Sequence, residues 1–203
     1  MNPRFQDLVK IPDAPAAKLL AEANVTLQTR LDLPATTLPV EMLEALEEKQ
    51  AWIDMLMLLG VVLPPRERVW WACLAARDYI GPKSDKDPPA LARSEDWVFN
   101  PCDETREAAR QTIDHAYVDD ETVHCATSVL YADGTLGPGD LAQYPAPAGA
   151  AELSAFAMNV VALTELSDRF DEHVQLLIDR ALDIARGGSG RVKATQSRKE
   201  ASS

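Results

Sequence analysis

The chain has few of the residues that carry recognisable chemistry. It holds three histidines and three cysteines in 203 residues. Cys73, Cys102 and Cys125 show no CxxC spacing, and their odd number argues against a disulfide framework and for a reducing compartment. The one glycine-rich stretch, with Gly134, Gly137 and Gly139, is not followed by the Lys-Ser/Thr of a phosphate loop. The longest apolar run, 55–63, is far too short to span a bilayer. The first eleven residues hold no apolar core of signal-peptide length. β-Branched residues rarely cluster, and almost no stretch alternates with period two, which leaves little from which to build a sheet. The expectation is a soluble, cytoplasmic protein.

Positive charge is also short. The net charge is −12. The last 17 residues carry Arg191, Lys193, Arg198 and Lys199 against Glu200, or +3, so the remaining 186 hold −15. An acidic body repels nucleic acid and anionic membrane, and neither is an expected partner. Residues 187–203, which open with Gly187-Gly188-Ser189-Gly190, read as a disordered basic tail.

Ala and Leu dominate what remains, and Pro and Gly divide it into helical pieces. Residues 1–12 read as an extension and 13–186 as a single helical domain. Asp13 is a cap candidate for a first helix with Leu19, Leu20, Ala23 and Leu27 as its stripe. Pro39 opens a second. A third, 49–59, turns Trp52, Ile53, Leu56 and Leu59 inward and stops at Gly60. Pro64 and Pro65 precede a fourth, which runs to about Tyr79. Shorter helices follow at 90–99, from an Asp103 cap through Ile113, and from Asp120 through Tyr131. The Pro/Gly-rich segment 133–149 is a long connection inside the domain. Beyond it, Leu153, Phe156, Val160, Leu163, Leu166, Phe170, Val174, Leu177, Ala181 and Ile184 advance by threes and fours. That spacing predicts one long helix, or two with a break near Ser167-Asp168. The fold class is all-α, an irregular array of about seven to eight helices with a long C-terminal helical segment.

The densest motif is the run 64–73, Pro-Pro-Arg-Glu-Arg-Val-Trp-Trp-Ala-Cys. Trp70 and Trp71 point about 100° apart on a helix and cannot share one neighbour. Val69, Cys73, Ala76 and Ile80 mark an inward face with Trp70 beside it, while Trp71 lies with Leu74 and Asp78 toward a second surface. Either both rings pack between helices, or one of them anchors a partner. Glu67 in the first turn suits the helix dipole, and Arg66 is placed to clamp an acidic group. An Arg-Glu pair alone is no catalytic signal. His124-Cys125, and Asp168 and Glu172 with His173, lack metal-ligand spacing because neighbouring positions point apart on a helix. No metal and no cofactor is expected. Cys102, at a helix entry, is the most reactive thiol candidate, although Asp103 and Glu104 oppose a lowered pKa.

The run 64–73 resembles a bacterial family catalogued only as a domain of unknown function, whose members show Pro-Pro-Arg-Glu followed by Val-Trp-Trp-Ala-Cys. A looser similarity covers the end, Leu182-Asp183-Ile184-Ala185-Arg186-Gly187-Gly188. It extends from about Asp13 to Gly188. The resemblance implies a helical fold, a bacterial source and a setting near secretion-system genes, but no activity.

With no catalytic constellation in view, the function expected is non-enzymatic: an adaptor, accessory or scaffold protein working by protein–protein contact. Arg66, Glu67, Trp70 and Trp71 are the candidate partner-binding residues. Phe156, Leu163, Phe170 and Leu177 form a candidate association seam. It is covered either by the preceding helices or by another chain, a homodimer included. The alternatives are an enzyme or enzyme subunit whose site is assembled from separated helices, and a small-molecule sensor with an interhelical pocket.

Overall fold

The computed structural model describes residues 2–192. Among the described residues nine α-helices follow one another: α1 (Ala16–Glu22), α2 (Pro39–Glu48), α3 (Trp52–Val62), α4 (Pro65–Ile80), α5 (Pro89–Phe99), α6 (Asp103–Asp114), α7 (Val123–Leu130), α8 (Ala150–Glu165) and α9 (Phe170–Ala185). There is no β-sheet among the described residues, only an isolated bridge between Thr135 and Pro145. The fold is all-α.

Proline sets the starts. Pro39, Pro65 and Pro89 each stand in the first turn of their helix, where a missing N–H costs nothing and a fixed φ helps. Asp13 caps nothing: Pro15 is the residue before α1. Asp103 lies inside the first turn of α6, and Cys102 takes the cap position.

Two apolar cores meet along α4, and α8 contributes side chains to both. The first joins Leu43 and Leu46 of α2, Leu56 and Leu59 of α3, and Leu177 and Ala181 of α9. The second joins Leu91 and Trp97 of α5, Ala109 of α6, Cys125 and Val129 of α7, and Met158 of α8. Helix α4 is the wall between them. Its Trp71, Leu74 and Ala75 face the first core; Val69, Ala72, Cys73 and Ala76 face the second. The expected second surface of Trp71 and Leu74 is therefore the first core. Trp71 is fully buried and donates Nε1–H to the Leu177 carbonyl at 2.9 Å, while Trp70 is only partly buried. A helix buried on two sides has two inward stripes, so one stripe could not identify the outer face.

Gly60 does not stop α3, which runs on to Val62. It is a close-approach point: a Cβ there would lie 3.3 Å from the Glu152 carbonyl oxygen and 3.8 Å from the Trp71 ring. Where α3 does end, Arg68 takes over its orphan carbonyls. Its guanidinium donates to Gly60 O at 2.7 Å and Leu63 O at 3.0 Å and pairs with Glu152 of α8 at 2.8 Å. Burial pulls the Arg68 pKa down, and Glu152 opposes that pull.

The C-terminal stripe resolves into two helices broken at Ser167–Arg169. Leu163 and Leu177 are buried inside the first core, and Phe156 packs on it partly buried. Phe170 is 38% exposed at the start of α9, so it stands outside that contact. Ile53, expected inward, is exposed at 41%.

Both ends of the described chain pack onto this body. Phe5 is buried, and Lys10 N–H donates to the Ala185 carbonyl at the end of α9 at 2.9 Å. Residues 187–192 bend back against α4 instead of trailing away. The rest of the expected basic tail, 193–203, lies outside the described residues. No helix among the described residues is long and apolar enough to cross a membrane.

Candidate functional site

Three of the four motif residues meet in one place. The start of α4, the end of α5 and the end of α9 enclose an open cleft of about 470 Å³ into which Arg66, Glu67 and Trp70 project. The fourth, Trp71, is in the core, and Leu163 and Leu177 are structural with it.

The chain builds each wall for a local reason. Arg66, Glu67 and Trp70 are at i, i+1 and i+4 of α4, so they share its outer side. Helix α5 ends at Phe99, and Pro101 two residues on cannot continue it. That leaves the Val98 carbonyl without a helical donor, and Arg66 Nε–H fills the place at 2.6 Å. Phe99 then sits beside Trp70, ring centres 5.7 Å apart at 65°, an edge-to-face pair. Phe99 remains 67% exposed.

The third wall is a short strap after α9. Asp183 ties it down: its carbonyl accepts Gly188 N–H at 2.8 Å and its carboxylate accepts Gly190 N–H at 2.8 Å. Gly190 has φ +72°, and a Cβ there would come within 2.8 Å of both Ile184 and Leu74, so no larger residue fits unstrained. The strap presents the Ser189 carbonyl to Trp70 Nε1–H at 2.7 Å and sets the Arg191 guanidinium 5.7 Å over the Trp70 ring.

The electrostatics are local and opposite to those of the whole chain. Glu67 is the only acid lining the cleft among the described residues, and Lys10 Nζ pairs with it at 2.8 Å. Arg66 and Arg191 have no carboxylate within ion-pair distance among the described residues. The result is a cationic rim over an aromatic floor. No histidine or cysteine lines it.

The other chemical candidates lie apart from the cleft. Cys102 is exposed, and the Thr105 hydroxyl holds its thiol below the usual range. His173 meets neither a metal-ligand set nor a nucleophile. It is buried with Nε2 3.3 Å from Asp78 Oδ2, and Arg180 grips the same carboxylate at 2.5 and 2.7 Å. Burial lowers the His173 pKa; Asp78 raises it in opposition. Among the described residues no group of three or more His, Cys, Asp or Glu stands close enough to hold a metal ion.

Sequence reasoning missed Arg68, Phe99 and Arg191. Arg68 was detectable, because it shares the spacing of Trp71, Ala72 and Ala75 and so puts a charge on a buried stripe. Phe99 and Arg191 carry no local signal; only the tertiary fold brings them to Trp70.

No curated protein and no solved structure matches the chain. A family model matches residues 42–185, which include the Trp-Trp motif, Phe99 and the whole of α9 but not Lys10 or the strap. The chain belongs to DUF6931, a family of unknown function.

Proposed function

We propose that this protein is a non-enzymatic adaptor or accessory protein of a multiprotein system, and that it docks a protein partner in the cleft beside Trp70. The observation that carries this reading is Phe99. A large aromatic ring, two-thirds exposed and already packed edge-to-face against a tryptophan, is the kind of anchor that interfaces favour. The apolar area still open on it is released from water only when something covers it. An enzymatic reading would need convergent acids of perturbed pKa around Arg66. The one acid lining the cleft, Glu67, is instead held by Lys10. A cytoplasmic setting accords with three free thiols, two of them buried, and the resemblance to proteins encoded near secretion-system genes suggests the kind of assembly.

The test is co-purification from native cells of wild type and a Phe99→Asp variant, with folding checked by circular dichroism. The reading expects a stoichiometric companion protein with wild type that Phe99→Asp loses while staying folded. A wild-type protein that elutes without any companion, or a companion indifferent to the substitution, contradicts it. A companion that proves to be a second copy of this chain would make the cleft a homodimer surface.

A further inference from the structure

We infer that the element docked in this cleft is an acidic peptide segment carrying a bulky apolar side chain. Its carboxylates would sit on Arg66 and Arg191, and its apolar group on the Trp70–Phe99 pair. This rests on the docking reading and names the chemistry of the partner.

Charge pairing sets this cleft apart. Carboxylates are in surplus throughout this chain, and its arginines are generally consumed by them. Arg4, Arg68, Arg77, Arg106, Arg110 and Arg180 each hold at least one. Among the described residues Arg66, Arg169, Arg186 and Arg191 have no acid within ion-pair distance, and Arg66 and Arg191 line the same cleft in a protein of net charge −12. Glu67, the one acid lining the cleft among the described residues, is already paired with Lys10. The cleft therefore offers two uncompensated positive charges.

The cationic side chains are also held in place. The Arg66 side chain is held through Nε on the Val98 carbonyl, which fixes the guanidinium plane and leaves its terminal nitrogens for an acceptor. A planar fork of that kind matches a carboxylate with two parallel hydrogen bonds. Arg191 is likewise placed, because Gly190 and Asp183 anchor the strap that carries it. Preorganised cations lose less entropy on binding than free surface ones. The indole N–H of Trp70 is satisfied by Ser189, so what the aromatic pair still offers is apolar surface, not a polar handle.

The surroundings of the cleft favour one kind of anion. A nucleic acid carries phosphates along its length, and beyond the cleft those phosphates meet an acidic body. At physiological salt, repulsion acts over about 8 Å. A short acidic segment feels the two arginines and escapes most of that repulsion. The apolar floor also asks for a side chain that a phosphate backbone lacks.

Phage-displayed random decapeptides, selected on the full-length protein, test this. The expected clones place Asp or Glu beside Trp, Phe or Leu. A synthetic peptide of that sequence should bind more weakly as salt rises, and Arg66→Glu should weaken it by about tenfold or more. Arg66 and Phe99 are exposed, so Arg66→Glu and Phe99→Ala leave the fold intact. Neutral or basic clones, acidic clones that bind Arg66→Glu equally well, or no enrichment at all would each overturn the inference. If a native partner is lost with Phe99→Asp but selection returns basic clones, docking stands and the acidic class falls. If acidic clones bind here while no native partner is found, the recognition chemistry stands and the adaptor reading falls.

Discussion

Replacing each tryptophan of the motif in turn separates the two rings sharply. Trp71 is wholly buried where α3, α4 and α9 meet, close to Gly60, and its indole N–H is bonded to the Leu177 carbonyl. Trp71→Ala removes the largest fully buried side chain of the first core. The lost transfer energy and the cavity together cost about 3–5 kcal/mol, and the lost hydrogen bond adds about 1 kcal/mol. A domain of this kind is stable by about 5–15 kcal/mol, so the variant lies near the edge of folding. Trp70→Ala removes a ring that is only partly buried, together with its bond to Ser189, and should cost about 1–2 kcal/mol. Urea melts followed by circular dichroism read both, provided the slope of the transition is unchanged. If Trp71→Ala is too unstable to melt, Trp71→Phe keeps most of the volume and should lose about 1–2 kcal/mol. An equal or larger loss from Trp70→Ala would refute the assignment of Trp71 to the core and Trp70 to the cleft.

Three other outcomes follow from the same contacts. Arg68→Ala leaves Glu152 and the last carbonyls of α3 unpaired in a buried place, and should cost about 3 kcal/mol in a denaturant melt; a loss under about 1 kcal/mol contradicts its role as a helix end-cap. His173 is kept neutral by burial, with Asp78, Glu172, Arg169 and Arg180 around it. Its folded pKa lies below 6.5, so its contribution is present above that pH and is lost as pH falls below it. His173→Gln should therefore flatten the decline in stability below pH 6.5, and an unchanged pH profile would show that another group causes it. Phe170→Glu changes an exposed position and should shift stability by no more than about 0.5 kcal/mol, whereas Leu177→Glu buries an unpaired charge and should prevent folding; similar thermal melts for the two would contradict the division of the stripe.

The fold was legible where a residue acts on its own neighbours. Pro39, Pro65 and Pro89 start helices for reasons contained in the proline ring, and the three-and-four spacing from Leu153 to Ile184 marks helix without any knowledge of what covers it. Legibility failed where a distant surface decides. Gly60 reads as a stop from local propensity, yet α3 runs through it to Val62, and its missing side chain lets α8 approach there. The spacing puts Trp71 toward a second surface but leaves open which ring is covered, because it does not show that α4 is enclosed by two cores. The Gly187–Gly190 run reads as the root of a loose tail, yet Asp183 and the gap between Ile184 and Leu74 hold it in place. The cleft was half legible for the same reason. Arg66, Glu67 and Trp70 lie in one motif and were found together; Lys10, Phe99 and Arg191 come from the ends of three other segments, and no spacing links them.

The account stands on the claim that the surface beside Trp70 and Phe99 meets another protein. A photo-reactive benzoylphenylalanine placed at position 99 in native cells, with position 117 as the control, tests it most directly. Tyr117 is 84% exposed and lies in a separate groove between α5 and α6, so it reports chance encounters on an equally open surface. The account predicts a discrete adduct from position 99 that an accompanying Arg66→Glu abolishes, and none from position 117. An adduct from position 117 with none from position 99 would contradict it.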